Sequence, residues 1–145
     1  MNPHAKLATL ERQLSLFRAA RRELGRPPAI ETPLIKECYV APETTTAVTE
    51  AATFLGPKYQ AYRRWEQDKA LPAGESFDAS FAELARDRFI IGDPGRVIEE
   101  IMRYQARLGV TTLIFRVQWP GMDQEKVLRS IRLLGQKVLP KFSTH

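Results

Sequence analysis

Cysteine and histidine are scarce in this sequence, which has one cysteine and two histidines among its 145 residues. A single cysteine cannot form a disulfide within the chain, and with only two histidines the sequence predicts no metal site. No run approaches about 20 uninterrupted apolar residues, so no membrane-spanning helix is predicted. The first residues also lack the pattern of a signal peptide. We therefore predict a cytoplasmic protein with no membrane partner.

The motifs of several common enzyme classes are also missing. The sequence has no glycine-rich phosphate loop, no G-x-S-x-G nucleophile motif and no H-E-x-x-H zinc motif. His4 and His145 lie close to the two termini, where chains are often poorly ordered, so neither is a persuasive catalyst. Cys38 lies within a predicted strand and is interpreted as a buried structural thiol. No catalytic residue is therefore predicted from these motifs.

The charge pattern does not favour nucleic-acid binding, although the net charge is +5 and the pI is about 9.6. Arg18, Arg21 and Arg22 lie in an amphipathic helical pattern without interleaved aromatic residues. In the last predicted helix, acidic and basic side chains alternate loosely. Such patterns are typical of solvated helix faces, so no nucleic-acid partner is predicted.

The length bounds the architecture. A chain of 145 residues can bury a core of ordinary size. Hydrophobic residues make up 43% of the sequence and charged residues 27%, which favours a globular chain over a disordered one. A closed eight-stranded β/α barrel needs roughly 250 residues. A complete barrel of that kind is therefore excluded.

Hydrophobic periodicity predicts alternating helices and strands. Helices are predicted over about 5–24, from 42 onward with a kink or an interruption at Gly56-Pro57, over about 78–85 and 94–108, and from 123 to Pro140. Strands are predicted over about 34–40, 89–91 and 111–117, and a loop over about 68–77. Asp93-Pro94 predicts a helix start, because the Asp side chain accepts an otherwise unpaired N–H and Pro needs none there. Gly109 predicts the end of the same helix. This order predicts an α/β fold with a small parallel sheet.

The end of the last predicted strand carries the main candidates for ligand contacts. In parallel β/α folds, ligands bind at the carboxyl ends of the strands, and Arg116, Gln118 and Trp119 follow that strand closely. Arg116 can bind an anion or a carbonyl with its forked guanidinium, Gln118 can donate and accept hydrogen bonds, and Trp119 offers a flat face for a planar ring. Alternatively, Arg116 forms a structural salt bridge and Trp119 packs at the rim. The residues alone leave both interpretations open.

Two further groups have both a binding and a structural interpretation. At the turn Gly92-Asp93, helix N–H groups can hold an anion, but Asp93 would repel one, which favours capping. Tyr62 and Trp65 lie beside arginines and can stack on a ligand. Because Tyr62 continues the apolar stripe of its helix, core packing is favoured for this aromatic group.

The sequence resembles the luciferase-like monooxygenases, which are flavin-dependent oxidoreductases related to bacterial luciferase. The resemblance is carried by segments 88–94, 108–110 and 116–122, and by 36–41 with the aromatic residues after it. It extends from about Leu7 to Phe142. It implies a (β/α)8 TIM-type barrel that uses reduced flavin and O2, with the flavin at the carboxyl-end mouth. Rim candidates that match are Arg116, Gln118, Trp119 and Gly92, and weaker candidates are Tyr62, Trp65 and Arg88.

The resemblance implies that this chain corresponds to roughly the last three β/α units of such a barrel. Residues 1–145 are then a single C-terminal barrel fragment, with a leading helix over 1–28, a strand, helix and loop insertion over 29–87, and the last two β/α units over 88–145. The implied cofactor is FMN or another reduced flavin, with a deazaflavin as a further option, and no metal is implied.

Two functions are consistent with these observations. The first is the C-terminal portion of a flavin-dependent monooxygenase or oxidoreductase that acts on a small-molecule substrate and is incomplete as an isolated chain. The second is a non-catalytic partial barrel that associates with itself or with a separate N-terminal chain. The second follows from the sheet itself, because three open parallel strands leave two unpaired edges, which favours association.

Overall fold

Helices and strands alternate along the computed structural model, which describes residues 3–72 and 74–143. The elements are α1 (Leu7–Glu23), β1 (Pro33–Val40), α2 (Thr44–Arg64), α3 (Phe81–Ala85), β2 (Ile90–Gly92), α4 (Pro94–Leu108), β3 (Thr112–Arg116) and α5 (Gln124–Leu133). A 3-10 turn at Gln67–Ala70 overlaps the start of the segment predicted as a loop. After α5 the chain continues through a π-helical turn (Leu134–Val138) and a 3-10 turn (Leu139–Lys141).

The three strands form one parallel sheet in the order β2-β1-β3. The first half of β1 pairs with β3, from Pro33 opposite Thr112 to Glu37 opposite Arg116. The second half of β1 pairs with β2, and this pairing ends with Val40 opposite Gly92. The predicted α/β fold, with about three parallel strands and crossover helices, is confirmed. In a regular barrel successive strands are neighbours, whereas here β1 lies between the two later strands.

The start and the end of α4 follow from local chemistry. The Asp93 side chain accepts a hydrogen bond from the Arg96 backbone N–H at 3.0 Å, and Pro94 occupies the first turn. Gly109 ends the helix with φ of 62°, a left-handed conformation that a side chain would strain. The predicted capping role of Asp93 and the predicted end at Gly109 are confirmed.

A kink or an interruption of α2 is predicted at Gly56-Pro57, and the structure shows no interruption there. The helix runs unbroken through Pro57 to Arg64. Proline deprives the carbonyl four residues earlier, that of Thr53, of its helical partner. Both Pro57 and Thr53 lie on the exposed side of the helix. Water can therefore satisfy the freed carbonyl, and the buried side of the helix holds it to the sheet.

The sheet is covered on both faces by separate apolar clusters. Alternate residues of β1 point to opposite faces, so Leu34, Cys38 and Val40 join a cluster with α1 and α4. Tyr39 and the following Ala41 join a second cluster with α2. Cys38 is fully buried, as predicted, and this burial raises the pKa of its thiol.

Three large apolar residues on the helices are exposed. Phe17 on α1 is 49% exposed, Met102 on α4 is 57% exposed, and Ile131 on α5 is 45% exposed. Each lies at the border of an apolar stripe whose centre packs on the sheet, so periodicity alone overestimates the width of the buried face. Across the described ranges, none of the helices combines the length and hydrophobicity that a membrane crossing needs.

Candidate functional site

Glu37 is the centre of a polar network on the face of the sheet covered by α2. It lies in the middle of β1 and is fully buried. Its Oε1 accepts a hydrogen bond from Lys58 Nζ of α2 at 2.7 Å, and its Oε2 accepts one from Trp119 Nε1 at 2.6 Å. Arg116 Nη2 lies 3.0 Å from Glu37 Oε1. One buried carboxylate therefore holds together β1, α2 and the segment after β3.

Strand register explains why Arg116 reaches Glu37. The two residues are direct partners across β1 and β3, so their side chains project from the same face. The Arg116 side chain is 34% exposed, and its Nη2 forms an ion pair with Glu37 without the alignment of a hydrogen bond. Its Nε is buried and has no hydrogen-bond partner among the described residues. Arg116 thus forms the predicted structural salt bridge, while its buried Nε and Nη2 have no hydrogen-bond partner among the described residues.

Trp119 is buried beside Glu37 instead of facing solvent. It is 2% exposed, and its ring centroid lies 5.9 Å from that of Tyr39. The structure therefore favours the packing interpretation of Trp119, since neither face is open to a ligand in this arrangement. Gln118, the residue before it, is exposed.

The turn at Gly92 is closed by its neighbours. A Cβ atom at Gly92 would lie 2.7 Å from Arg96 Cγ and 3.2 Å from Thr44 Oγ1. Thr44 donates a hydrogen bond to Asp93 Oδ2 at 2.6 Å, which is the main reason that the pKa of Asp93 is lowered. The carboxylate of Asp93 fills the start of α4, where an anion would otherwise bind. Gly92 is therefore required for close packing, and this turn presents no open anion site.

Tyr62 and Trp65 line a groove on the outer side of α2. The cavity has a volume of about 420 Å³, and its lining includes Lys58 and Pro120. Trp65 is 66% exposed, Tyr62 is half-buried, and their ring centroids are 6.0 Å apart. Tyr62 contacts the core cluster, as predicted, while Trp65 does not belong to it. The groove presents aromatic surface beside the Glu37 network.

His4 belongs to the same neighbourhood, although its place near the terminus argued against a role. Its Nδ1 lies 2.9 Å from the Tyr59 hydroxyl, and its ring contacts Tyr59 and Tyr62 edge-on. Burial, followed by the positive charge of Arg116, lowers the pKa of His4 to about 4. The imidazole is therefore neutral at pH 7. His145 lies outside the described residues.

Arg88 is a structural residue within the chain. It is fully buried, and it donates hydrogen bonds at 2.7 Å to the carbonyls of His4 and Leu84. It also forms an ion pair with Glu75 at 3.1 Å. These three contacts tie the N-terminal segment to the segment before β2, and they leave the guanidinium away from the groove at Tyr62.

Lys36 is buried on the opposite face of β1 from Glu37. Its Nζ donates to the Ala5 carbonyl at 2.9 Å and lies 5.3 Å from the centre of the Tyr104 ring. Burial, followed by the charge of Arg88, lowers the pKa of Lys36 to about 7. Sequence reasoning missed both Lys36 and Glu37. The pattern that could have indicated them is a pair of adjacent charged residues within a predicted buried strand.

Comparisons with known proteins identify the fold. No protein-family model and no curated protein matches the chain. Among solved structures, it is similar to the monooxygenase RslO1 from Streptomyces bottropensis, with 22% identity, a TM-score of 0.66, and coverage of 98% of this chain and 40% of that chain. It is also similar to the oxygenating constituent of 3,6-diketocamphane monooxygenase from Pseudomonas putida, a type II Baeyer-Villiger monooxygenase in complex with FMN, with 21% identity, a TM-score of 0.69, and coverage of 97% and 42%.

A third similar structure is the coenzyme F420 dependent tetrahydromethanopterin reductase from Methanopyrus kandleri, with 20% identity, a TM-score of 0.55, and coverage of 92% of this chain and 42% of that chain. The chain thus spans about 40% of the length of these proteins. The predicted resemblance to luciferase-like monooxygenases is confirmed at the level of the fold.

The described residues do not form a flavin mononucleotide site by themselves. Trp119 is enclosed by the chain's own side chains, and Asp93 fills the start of α4. The groove at Tyr62 and Trp65 suits an apolar or planar group, but its cation, Lys58, is paired with Glu37. At this end of the sheet, the described part of the chain offers an aromatic surface for a planar ring and no open binding site for a phosphate group.

Proposed function

We propose that this chain forms part of a flavin- or deazaflavin-dependent oxidoreductase that acts on a small-molecule substrate, with a cofactor site that requires strands beyond β1, β2 and β3. The observation that carries the proposal is the fold similarity over nearly the whole chain to three oxidoreductases, one in complex with FMN and one dependent on coenzyme F420. A flavin or deazaflavin would supply the redox chemistry. FMN with O2, as in a monooxygenase, is the specific form that we propose.

The open edge of β3 supports the need for further strands. Within the described residues, β3 pairs with β1 alone. Ile114, in the middle of β3, is 48% exposed. In a closed barrel every strand has a neighbour on each side, so a further strand would pair along this open edge of β3. The division into residues 1–28, 29–87 and 88–145, as a leading helix, an insertion region and the last two β/α units, is part of the same proposal.

The candidate residues take two kinds of role in this proposal. Arg116, whose side chain is 34% exposed, and the exposed Gln118 face the ligand, and Tyr62 and Trp65 offer it an aromatic surface. Trp119, Gly92 and Arg88 are positioning residues, since their side chains or backbone are enclosed by the chain. Glu37 links the two groups, because it forms an ion pair with Arg116 and accepts a hydrogen bond from Trp119.

A hybrid protein tests the proposal. In it, this chain replaces the matched region of the diketocamphane monooxygenase constituent. We expect the folded hybrid, as judged by near-ultraviolet circular dichroism, to quench FMN fluorescence saturably. The isolated chain, and the parent enzyme without its matched region, are expected not to do so. A second experiment mixes the isolated chain with the parent enzyme that lacks the matched region. We expect the mixture to quench FMN fluorescence, although neither piece does so alone.

Two outcomes count against the proposal. A folded hybrid that leaves FMN fluorescence unchanged contradicts the role of this chain in a flavin site. Tight binding of one FMN by the isolated chain contradicts the need for further strands.

The second candidate function is a non-catalytic partial barrel that associates with a second copy or with a complementary chain. The exposed edge of β3 favours it, because an unpaired strand with an apolar centre is a template for pairing. We expect light scattering to give a mass above the 16.5 kDa of one chain. The variant Ile114→Lys should weaken self-association at least tenfold, as about 1.4 kcal/mol suffices for that change.

A matched control is available on α5. Ile131 is 45% exposed, close to the 48% of Ile114, but lies on a helix. The variant Ile131→Lys should therefore leave the measured mass unchanged. A monomeric wild-type chain at all concentrations would rule out self-association.

A further inference from the structure

A second cavity lies at the opposite end of the sheet from the candidate site. It is bordered by Pro33, which begins β1, and by Thr111, which immediately precedes β3. The other walls are α1 and the segment that joins α1 to β1. Its volume is about 700 Å³, within the range of about 300–1,000 Å³ that is common for small-molecule sites.

The lining of this cavity is strongly basic. Four arginines contribute to it: Arg18, Arg21 and Arg22 from α1, and Arg26 from the segment after α1. Glu31 is the single carboxylate among the described lining residues. Guanidinium groups bind carboxylates and phosphates through two parallel hydrogen bonds. The excess of positive charge therefore favours an anionic ligand.

Two of the guanidinium groups are held in place by backbone carbonyls. Arg18 Nη2 donates to the Leu108 carbonyl at 2.8 Å, and Arg21 Nε donates to the Pro27 carbonyl at 2.9 Å. The Arg21 guanidinium also lies 5.6 Å from the centre of the Phe17 ring. Each guanidinium has five N–H donors, so these contacts orient the groups while leaving donors for a ligand. Such positioning lowers the entropic cost of binding.

The rest of the lining is apolar. Leu14 and Phe17 of α1 lie along one wall, and Pro28 and Pro33 contribute to the others. Phe17 is 49% exposed, so its ring is available for contact. A bare inorganic anion would leave most of this surface and volume unused.

We propose that this cavity binds a small organic anion, in which a phosphate or carboxylate group is joined to an apolar body. The arginines pair with the anionic group, and the apolar body packs on Phe17 and the prolines. The proposal does not depend on the oxidoreductase function, because the cavity lies at the amino ends of the strands and shares no lining residue with the groove at Tyr62.

Three probes separate the two parts of this ligand chemistry. Phenyl phosphate carries both parts, inorganic phosphate carries only the anion, and phenol carries only the apolar ring. By calorimetric titration of the full chain, we expect phenyl phosphate to bind saturably at one site. Phosphate and phenol should each bind at least tenfold more weakly. Added salt should weaken the binding of phenyl phosphate, because the charges lie near solvent.

Exposed arginines provide variants and a matched control. The double variant Arg22→Ala/Arg26→Ala removes two cations of the cavity that are exposed, and we expect it to weaken phenyl phosphate binding at least tenfold. Arg12 is also exposed on α1 but does not line the cavity, so Arg12→Ala should bind like the wild type. Thermal melts of all three proteins establish that each is folded.

Nuclear magnetic resonance provides a measurement that needs no variant. Phenyl phosphate should shift the amide signals of Gly109 and Thr111, which border the cavity. Failure of the wild-type chain to bind phenyl phosphate saturably would overturn the proposal. So would equal affinity for phosphate or phenol, an equal loss in Arg12→Ala, or amide shifts confined to residues elsewhere.

Discussion

The variant Glu37→Gln is expected to lower the free energy of unfolding by about 3 kcal/mol. Glu37 is fully buried and neutralises Lys58 and Arg116 while accepting the Trp119 N–H. Glutamine preserves the shape but removes the charge, so two cations lose their partner in the interior. The effect falls at the lower end of the range for buried pairs because Arg116 is 34% exposed and can turn toward water.

Thermal and urea unfolding measure this effect. For a chain of this length, about 3 kcal/mol corresponds to a decrease in Tm of roughly 10 °C. Glu43→Gln is the matched control, because Glu43 is an exposed carboxylate before α2 whose side chain caps nothing. If Glu37→Gln had the same Tm as Glu43→Gln, the network would not hold β1 to α2. In a Trp65→Phe background, the fluorescence of Trp119 reports the same network directly.

The variant Arg88→Met is expected to cost about 3–5 kcal/mol, the cost of breaking a buried ion pair. Methionine replaces most of the side-chain volume but none of the donors. It would leave Glu75, whose side chain is 8% exposed, without its cation and leave the His4 carbonyl without this partner. Because these contacts hold the chain before α1, the N-terminal segment should detach at lower denaturant concentrations than the sheet.

Hydrogen exchange locates this loss. The Leu7 amide donates to the Asp87 carbonyl at 2.8 Å, so its exchange should accelerate in Arg88→Met more than that of Val40 in β1. Arg86→Met is the control, since Arg86 is exposed two residues earlier. If both variants have the same stability as the wild type, the structural role of Arg88 is wrong. Loss of stability in Arg86→Met alone would contradict it equally.

Local chemistry made α4 and its flanking turns predictable from the sequence. Asp93 can cap only the helix that follows it, and Gly109 can adopt a positive φ that other residues avoid. Both later strands contain β-branched residues, and a turn of this kind follows β2 and precedes β3. These conformational preferences act over a few residues. They therefore predict the local structure without knowledge of the rest of the chain.

The candidate site was only partly predictable, because its partners are distant in sequence. Arg116, Gln118 and Trp119 could be placed after a strand, but the carboxylate that holds two of them is Glu37, which lies 82 residues before Trp119. Sequence position also assigned His4 to a terminus, whereas packing against Tyr59 and Tyr62 places it beside the network. No local pattern connects these residues.

The sequence by itself determined the kind and order of the elements, through periodicity and capping. Only the tertiary structure decided that β1 lies between β2 and β3, that Pro57 stays within α2, and that Arg116 and Trp119 turn toward Glu37. The physical reason is that burial is a property of the assembled sheet. A charged or aromatic side chain finds its partner, or solvent, only when distant segments have packed, and that packing also leaves the outer edge of β3 open.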